Sequence, residues 1–304
     1  MKVTVLMSTY NGQQYLEQQM DSILSQRGVN VEILVRDDCS FDNTLNILRN
    51  YEDKYDNVHV IEGRENWGAC RSFLYLIRSN NTSKYYALSD QDDIWDTDKL
   101  LCAVEKLDCK NINTPLLYYS NLRIIDKNGN FIRLSHRSPH TALRKYSALS
   151  ENLATGCTIV YNNRLAKIAE AVQPVDYSMH DAWLYLVAKL FGETVYDFDP
   201  HINYRIHGDN EIGTYKTHVD KSKVDEQIRY IKGAYGKIWS SNAKKIYDQF
   251  STNLSETEKN KLLKFINYDN NIATKFQLLF DKDYYTDNTY RKLKMITEIM
   301  LGTL

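Results

Sequence analysis

Two short runs concentrate the acid side chains of this sequence, Arg36-Asp37-Asp38-Cys39-Ser40 and Ser89-Asp90-Gln91-Asp92-Asp93. Like charges packed this closely repel unless a cation offsets them. Mg²⁺ or Mn²⁺ can do so, because each takes oxygen ligands from one or two carboxylates and completes its shell with substrate phosphates. The Asp90-Gln91-Asp92 spacing therefore suggests a metal–diphosphate site with Mg²⁺ or Mn²⁺ as cofactor. Helix capping is the competing reading, and Asp37, Asp42 and Asp96 suit it. Asp181 opens a helical pattern, where an acid gains roughly 0.3–1 kcal/mol from the helix dipole. On its own His207 reads as a loop histidine.

Alternating apolar runs and helical stripes position these groups. Val3–Met7, Val31–Val35, Val58–Ile61 and Tyr85–Leu88 read as strands. Helical spacing follows each of them, as in Cys70, Phe73, Leu74 and Ile77, or Leu100, Val104 and Leu107. Successive βα units imply a mainly parallel sheet with helices on both faces. Ligands of such sheets bind beyond the carboxyl ends of the strands. The unusual polar segments fall at those ends: Ser8-Thr-Tyr-Asn-Gly12, Asp37-Asp38, Glu65-Asn-Trp-Gly68 and Asp90–Asp93. Further strands are expected at Leu116–Tyr119, Ile124–Ile125, Gly156–Tyr161 and Thr194–Phe198, and a helix after His180. From about residue 216 the pattern is helical throughout. It includes a stripe Val224, Ile228, Ile231, Tyr235, Ile238, a capping box Ser255-x-x-Glu258, and a last helix with Leu293, Ile296 and Met300. This divides the chain into an α/β domain, 1–215, and a helical region, 216–304.

Composition narrows the class. The 304 residues are 43% hydrophobic and 25% charged, with net charge −1, which is ordinary for a globular protein and gives no reason to expect nucleic acid. Residues 220–304 hold 15 Lys/Arg against 11 Asp/Glu, a balance of +4 that suits solvated helix faces and admits peripheral attachment to an anionic membrane. The five cysteines have neither the even number nor the spacing of a disulfide framework or zinc site, which fits a reducing compartment. No apolar run approaches the roughly 20 residues that span a bilayer, and the expected location is the cytoplasm, at the inner face of the membrane. Gly-x-Gly-x-x-Gly, P-loop and Gly-x-Ser-x-Gly signatures are all missing.

The polar segments, taken in order, resemble family 2 glycosyltransferases. The likeness runs from Ser8–Gly12 through Asp37-Asp-Cys-Ser-Phe-Asp-Asn-Thr44, Asn66-Trp-Gly68, Ser89-Asp-Gln-Asp-Asp-Ile-Trp95, Ala154-Thr-Gly-Cys157 and His180-Asp-Ala-Trp183 to Tyr204-Arg-Ile-His-Gly-Asp-Asn210. The Ser-Asp-Gln-Asp-Asp-Ile-Trp and His-Asp-x-Trp forms look most like bacterial rhamnosyltransferases of cell-wall and capsular polysaccharide synthesis. The resemblance implies a GT-A fold and an inverting, metal-dependent transfer from a nucleotide-diphosphate sugar, dTDP-rhamnose or a UDP-sugar. The implied acceptor is a saccharide, lipid-linked. It implies that Ser8 and Tyr10 flank the base, Asp38 accepts from the base N3–H, and Arg71 approaches base or diphosphate. Asn66 shapes a turn beside the donor, Asp90 lies near the ribose, and Asp93 faces the sugar. Asp92 and His207 hold the metal, and Asp181 is the general base. Trp67 and Trp95 either stack on sugar or pack. Two departures stand out. His180 occupies a position often acidic in the family, and Cys39 a position often Gly, so the turn there must avoid positive φ or bear strain. A nucleotidyltransferase and a non-catalytic sugar-nucleotide-binding module are the competing classes, and the helical tail offers a surface for a homodimer.

Overall fold

The computed structural model describes residues 1–79, 82–136, 144–172, 174, 178–207, 237–285 and 289–304. The stripe Val224, Ile228, Ile231, Tyr235 and the Gly208-Asp-Asn210 end of the last motif lie outside these residues. The chain forms two compact units: Met1–Pro139 with Leu153–Glu170 and Phe191–Thr214, and His140–Asn152 with Ala171–Leu190 and Tyr215–Leu304.

The first unit is a nine-stranded mixed sheet with helices. It opens with β1 (Lys2–Thr9), α1 (Leu16–Leu24), β2 (Asn30–Asp37), α2 (Thr44–Lys54), β3 (Val58–Glu62), α3 (Ala69–Ser79) and β4 (Tyr85–Ser89). There follow β5 (Ile94–Trp95), α4 (Lys99–Asp108), β6 (Leu116–Ile125), β7 (Phe131–Leu134), β8 (Val160–Asn162), α5 (Asn163–Ala171) and, after the helix α6 described below, β9 (Glu193–Arg205). The order is β3-β2-β1-β4-β8-β6-β9-β5, with β7 on β6. β1 pairs in parallel with both β2 and β4, as the βα repeat requires. Its continuous apolar run, Val3 to Met7, is buried on both faces, because helices cover the sheet on each side. Val3, Val5, Met7, Ile33, Val35 and Leu100 belong to one core.

The parallel register aligns the carboxyl ends: Thr9 stands opposite Asp37, Asp37 opposite Glu62, and Met7 opposite Ser89. Three strands depart from the sequence reading. Leu116–Tyr119 and Ile124–Ile125 are one strand, β6, whose register with β9 shifts around Ser120 and Asn121. Asn121 stands there opposite Pro200, which has no N–H to give the ladder. Gly156–Thr158 is a 3₁₀ turn, and only Val160–Asn162 of that segment pairs as a strand. β9 runs to Arg205, well past the expected Phe198. β5, too short for any periodicity, pairs antiparallel with β9 (Ile94 opposite Asn203). That pairing sets the acid run just before β5 beside the end of β9.

The second unit is helical: α6 (His180–Phe191), α7 (Ile238–Phe250), α8 (Glu256–Ile266), α9 (Ile272–Leu279) and α10 (Thr289–Leu301). The capping box forms, since Ser255 Oγ accepts from Glu258 N at 3.3 Å and Glu258 Oε2 accepts from Ser255 N at 2.9 Å. The last helix expected around Leu293, Ile296 and Met300 forms as α10, with Met295 and Ile299 buried and Leu293 and Met300 exposed. All five cysteines are free. Among the described residues no helix is long and apolar enough to cross a membrane.

Candidate active site

The chain turns out of β1 at Tyr10 and out of β2 at Asp38, and the Asp38 N–H donates to Thr9 O at 2.7 Å. Gln91 ties this corner to the acid run. Tyr10 N donates to its Oε1 at 2.8 Å, and its Nε2 donates to Tyr10 O at 3.0 Å, so the side chain imitates a strand partner. Tyr10 is left with its ring exposed, edge-on to Phe41. Ser8 is half-buried one turn of the pleat earlier.

Asp38 is 1% exposed and its carboxylate serves the protein. It pairs with Arg36, takes the Trp67 N–H at 2.9 Å and takes the Gly68 N–H at 2.7 Å. The Arg36 guanidinium lies 3.9 Å from the Trp67 ring and donates to Ser72 Oγ at 2.7 Å. Arg36 is thus the counter-charge that lets Asp38 be buried, a role the sequence reading did not assign to it. Asn66 is exposed and caps the same turn, accepting from Gly68 N at 3.0 Å. Arg71 is exposed in the first turn of α3. Trp67 stays partly exposed, whereas Trp95 is buried in β5 and packs.

Cys39 adopts φ +67° and Asn11 φ +49°. Of the two outcomes open to the turn at Cys39, it bears the strain, at about 1–2 kcal/mol for a side chain in the left-handed region. Asp37 offsets part of this, because its carboxylate accepts from Ser40 N at 2.9 Å, Ser40 Oγ at 2.6 Å and Thr9 Oγ1 at 3.0 Å. Asp37 therefore builds the turn. Asp42 receives the Thr44 N–H at 2.9 Å at the start of α2, and Asp96 pairs with Arg123 at 2.5 Å.

In the acid run, Asp92 Oδ2 lies 2.6 Å from His207 Nε2. Arg205 locks this geometry. Its Nε donates to Asp92 O at 2.9 Å, its backbone N to Asp93 Oδ1 at 3.1 Å and its NH2 to Gln18 Oε1 at 2.6 Å. The guanidinium also lies 4.5 Å from the Tyr15 ring, which packs 5.2 Å from the His207 ring. Arg205 escaped the sequence reading although it sits inside the quoted Tyr-Arg-x-His motif. Asp90 is half-buried, and Asp93 is fully buried. Burial, then the charges of Asp92 and Asp90, push the Asp93 carboxyl well above the usual carboxylate range. Beneath it Lys99, fully buried, places Nζ 3.5 Å from the Trp95 ring centroid, and burial pushes its pKa down to about 7.

Besides Asp98, Cys102 and His201, whose ligand atoms also lie within 4.8 Å of one another, two sets of side chains at the acid run could hold a cation. One oxygen each from Asp90 and Asp93, with Cys157 Sγ, lie within 4.8 Å of one another. Burial raises the Cys157 thiol well above its ordinary value, and a protonated sulfur is a poor ligand for hard cations. Asp92 and His207 fit better, since a carboxylate oxygen and an imidazole nitrogen already converge and both side chains keep 12–14% exposure. Asp181 belongs to the second unit, in the first turn of α6. His180 beside it is buried, which pushes its pKa down to about 3 and keeps it neutral.

The profile of Glycosyl transferase family 2 matches residues 4–167, more than half of the chain and every one of the strand-end segments above up to Cys157. This chain is a family 2 glycosyltransferase. Its GT-A architecture is shared with S. aureus TarS 1-349 solved with UDP-GlcNAc, at TM-score 0.59 and 16% identity over 98% of this chain and 90% of that one. A mannosyltransferase, PcManGT from Pyrobaculum calidifontis, solved with GDP-Man and Mn²⁺, has the same fold at TM-score 0.51 and 14% identity over 99% and 85% of the two chains. In sequence the chain is similar to the dTDP-rhamnosyl transferase RfbG of Shigella flexneri, 31% identical over 68% of this chain and 73% of that protein.

Proposed function

We propose that this glycosyltransferase moves L-rhamnose from dTDP-rhamnose to a saccharide acceptor, lipid-linked, in the synthesis of a bacterial surface polysaccharide, with inversion at the anomeric carbon. The observation that carries the reading is the convergence of Asp92 and His207 beside the Gln91-clamped Tyr10 corner. A cation ligand pair and an exposed aromatic ring at one sheet edge suit the two ends of a nucleotide diphosphate. Similarity to a dTDP-rhamnosyl transferase supports the choice of donor.

In this reading the Tyr10 ring and Ser8 flank the base, and Asp38, which also holds the Trp67-Gly68 turn, accepts from the base N3–H. Arg71 approaches the diphosphate, and Asp90 receives the ribose hydroxyls. Asp93, enclosed at the base of this loop, faces the sugar. Asp92 and His207 would hold Mg²⁺ or Mn²⁺, which neutralises charge on the departing diphosphate. Asp181 takes the proton of the acceptor hydroxyl as its oxygen bonds to C1 of the donor. The bond from C1 to the diphosphate oxygen breaks, and dTDP leaves. A β-linked donor then gives an α-rhamnoside. Neutral His180 beside Asp181 adds no positive charge that would weaken the base.

Nucleotide release with dTDP-rhamnose and with UDP-sugars, in Mg²⁺, Mn²⁺ or EDTA, tests the proposal. The expected result is dTDP release with metal only, abolished in Asp92→Ala. Asp181→Asn should lower kcat about 10²–10⁴-fold while donor Kd stays within about twofold. Turnover of a UDP-sugar alone overturns the choice of rhamnose. Full activity in Asp92→Ala or in EDTA overturns the metal site.

A further inference from the structure

The outer faces of α9 and α10 carry a strip of large apolar side chains that the described residues do not cover. Ile272 and Phe276 on α9, Phe280 just beyond it, and Leu293, Met300 and Leu301 on α10 are between 47% and 77% exposed. At about 100° per residue, the first three fall within an arc of about 80° and the last three within about 100°. The Phe276 and Phe280 rings stack at 6.1 Å. Lys275 Nζ donates to Met300 O at 3.2 Å, which fastens one helix to the other beside Phe276 and Leu301. Single exposed hydrophobic residues are normal, but a contiguous set on two joined helices marks an interaction surface.

Among the described residues the charges around the strip are mainly positive. Asp281 is turned inward onto Lys261 and Lys264 at 2.9 and 2.6 Å, and Asp283, itself exposed, is paired with Lys261 at 2.5 Å. Glu298 is buried. Lys282, Lys292 and Lys294 are exposed, and Lys292 and Lys294 flank Leu293 on either side of its arc. An apolar strip edged by outward lysines has the pattern of helices lying in a bilayer interface, where the lysine heads reach anionic headgroups. A second copy of the chain fits less well. Stable interfaces take roughly 20–30 residues a side, and the strip offers six large apolar side chains.

We infer that this face of α9 and α10 rests on an anionic lipid surface, with Phe276, Phe280 and Leu293 at the headgroup–acyl boundary and Lys282, Lys292 and Lys294 among the headgroups. The inference does not depend on the donor or the reaction, because it is read without either.

The test is co-sedimentation of the full chain with phosphatidylcholine vesicles, with and without phosphatidylglycerol. The expected result is partition onto the phosphatidylglycerol-containing vesicles, weakened by salt. Phe276→Ser with Phe280→Ser should lower the partition coefficient by about tenfold or more. Lys292→Glu with Lys294→Glu should remove the preference for the anionic lipid. All four positions are exposed, and thermal unfolding of each variant confirms that the fold is retained. The inference is overturned if wild type ignores both vesicle types, or if the Phe276→Ser/Phe280→Ser variant binds as wild type does. A wild-type dimer that dissociates in that variant, without vesicle binding, assigns the face to a second copy instead.

Discussion

Replacing Asp38 by Ala should be among the costliest single changes near the candidate site, for a reason independent of the nucleotide. The Arg36 and Asp38 side chains are each only 2% exposed. Removing the carboxylate leaves a buried guanidinium without its counter-charge, a loss of about 3–5 kcal/mol. Arg36 keeps Ser72 Oγ and the Trp67 ring, which argues for the lower part of that range. The Trp67 and Gly68 N–H groups also lose their acceptor, at about 0.5–1.5 kcal/mol each where water does not replace it. The expected total for Asp38→Ala is about 4 kcal/mol. Arg36→Met combined with Asp38→Ala should recover about 2–3 kcal/mol of the summed single losses, because the unpaired charge is gone. Amide hydrogen exchange of peptides from β1, β2 and the 66–72 turn reads this locally, without assuming that the two units unfold together. A cost below about 1 kcal/mol for Asp38→Ala, or strict additivity in the double variant, refutes the argument that the pair is the anchor of the turn.

Three further outcomes are expected. Lys99 has its pKa depressed from 10.5 to about 7, so below pH 7 folded and unfolded chains both carry the proton and the full burial penalty stands. Between about 7 and 10.5 only the unfolded chain binds it, so stability rises with pH by up to roughly 1.4 kcal/mol per unit; Lys99→Met should flatten that slope, and thermal unfolding from pH 6.5 to 9.5 checks it, a flat wild-type profile counting against the burial argument. Cys39→Gly should be neutral to stabilising by about 1 kcal/mol in denaturant unfolding, since relief of positive φ offsets the added chain entropy; a loss above about 1 kcal/mol would mean that the thiol makes a needed contact. His207→Ala should weaken Mn²⁺ binding about 10- to 100-fold by calorimetry without changing nucleotide affinity in EDTA, and unchanged Mn²⁺ affinity would remove His207 from the ligand set.

The strands and helices from β1 to β4, the polar residues at the strand ends and the capped helix at Ser255 were all legible in the sequence. Each rests on local physics: apolar period, turn chemistry, and side-chain capping of free N–H groups. Local pattern could not show which polar residue serves which neighbour. Asp37 and Asp38 are adjacent in the chain, yet one builds its own turn and the other is drawn to Arg36 and the 66–68 turn by burial. His207 meets Asp92 only because a two-residue strand, β5, pairs with a β9 that outruns its apolar stretch. Strand pairing at a separation of more than a hundred residues leaves no periodic trace in either segment. In α10 the spacing of Leu293, Ile296 and Met300 gave the helix but not its inner face: only packing decides which of two apolar stripes turns inward, and it chose Met295 and Ile299. What the sequence determined by itself was the set of elements and the chemistry at their ends. The tertiary structure decided the partners, because burial and long-range register, not composition, choose which charges meet.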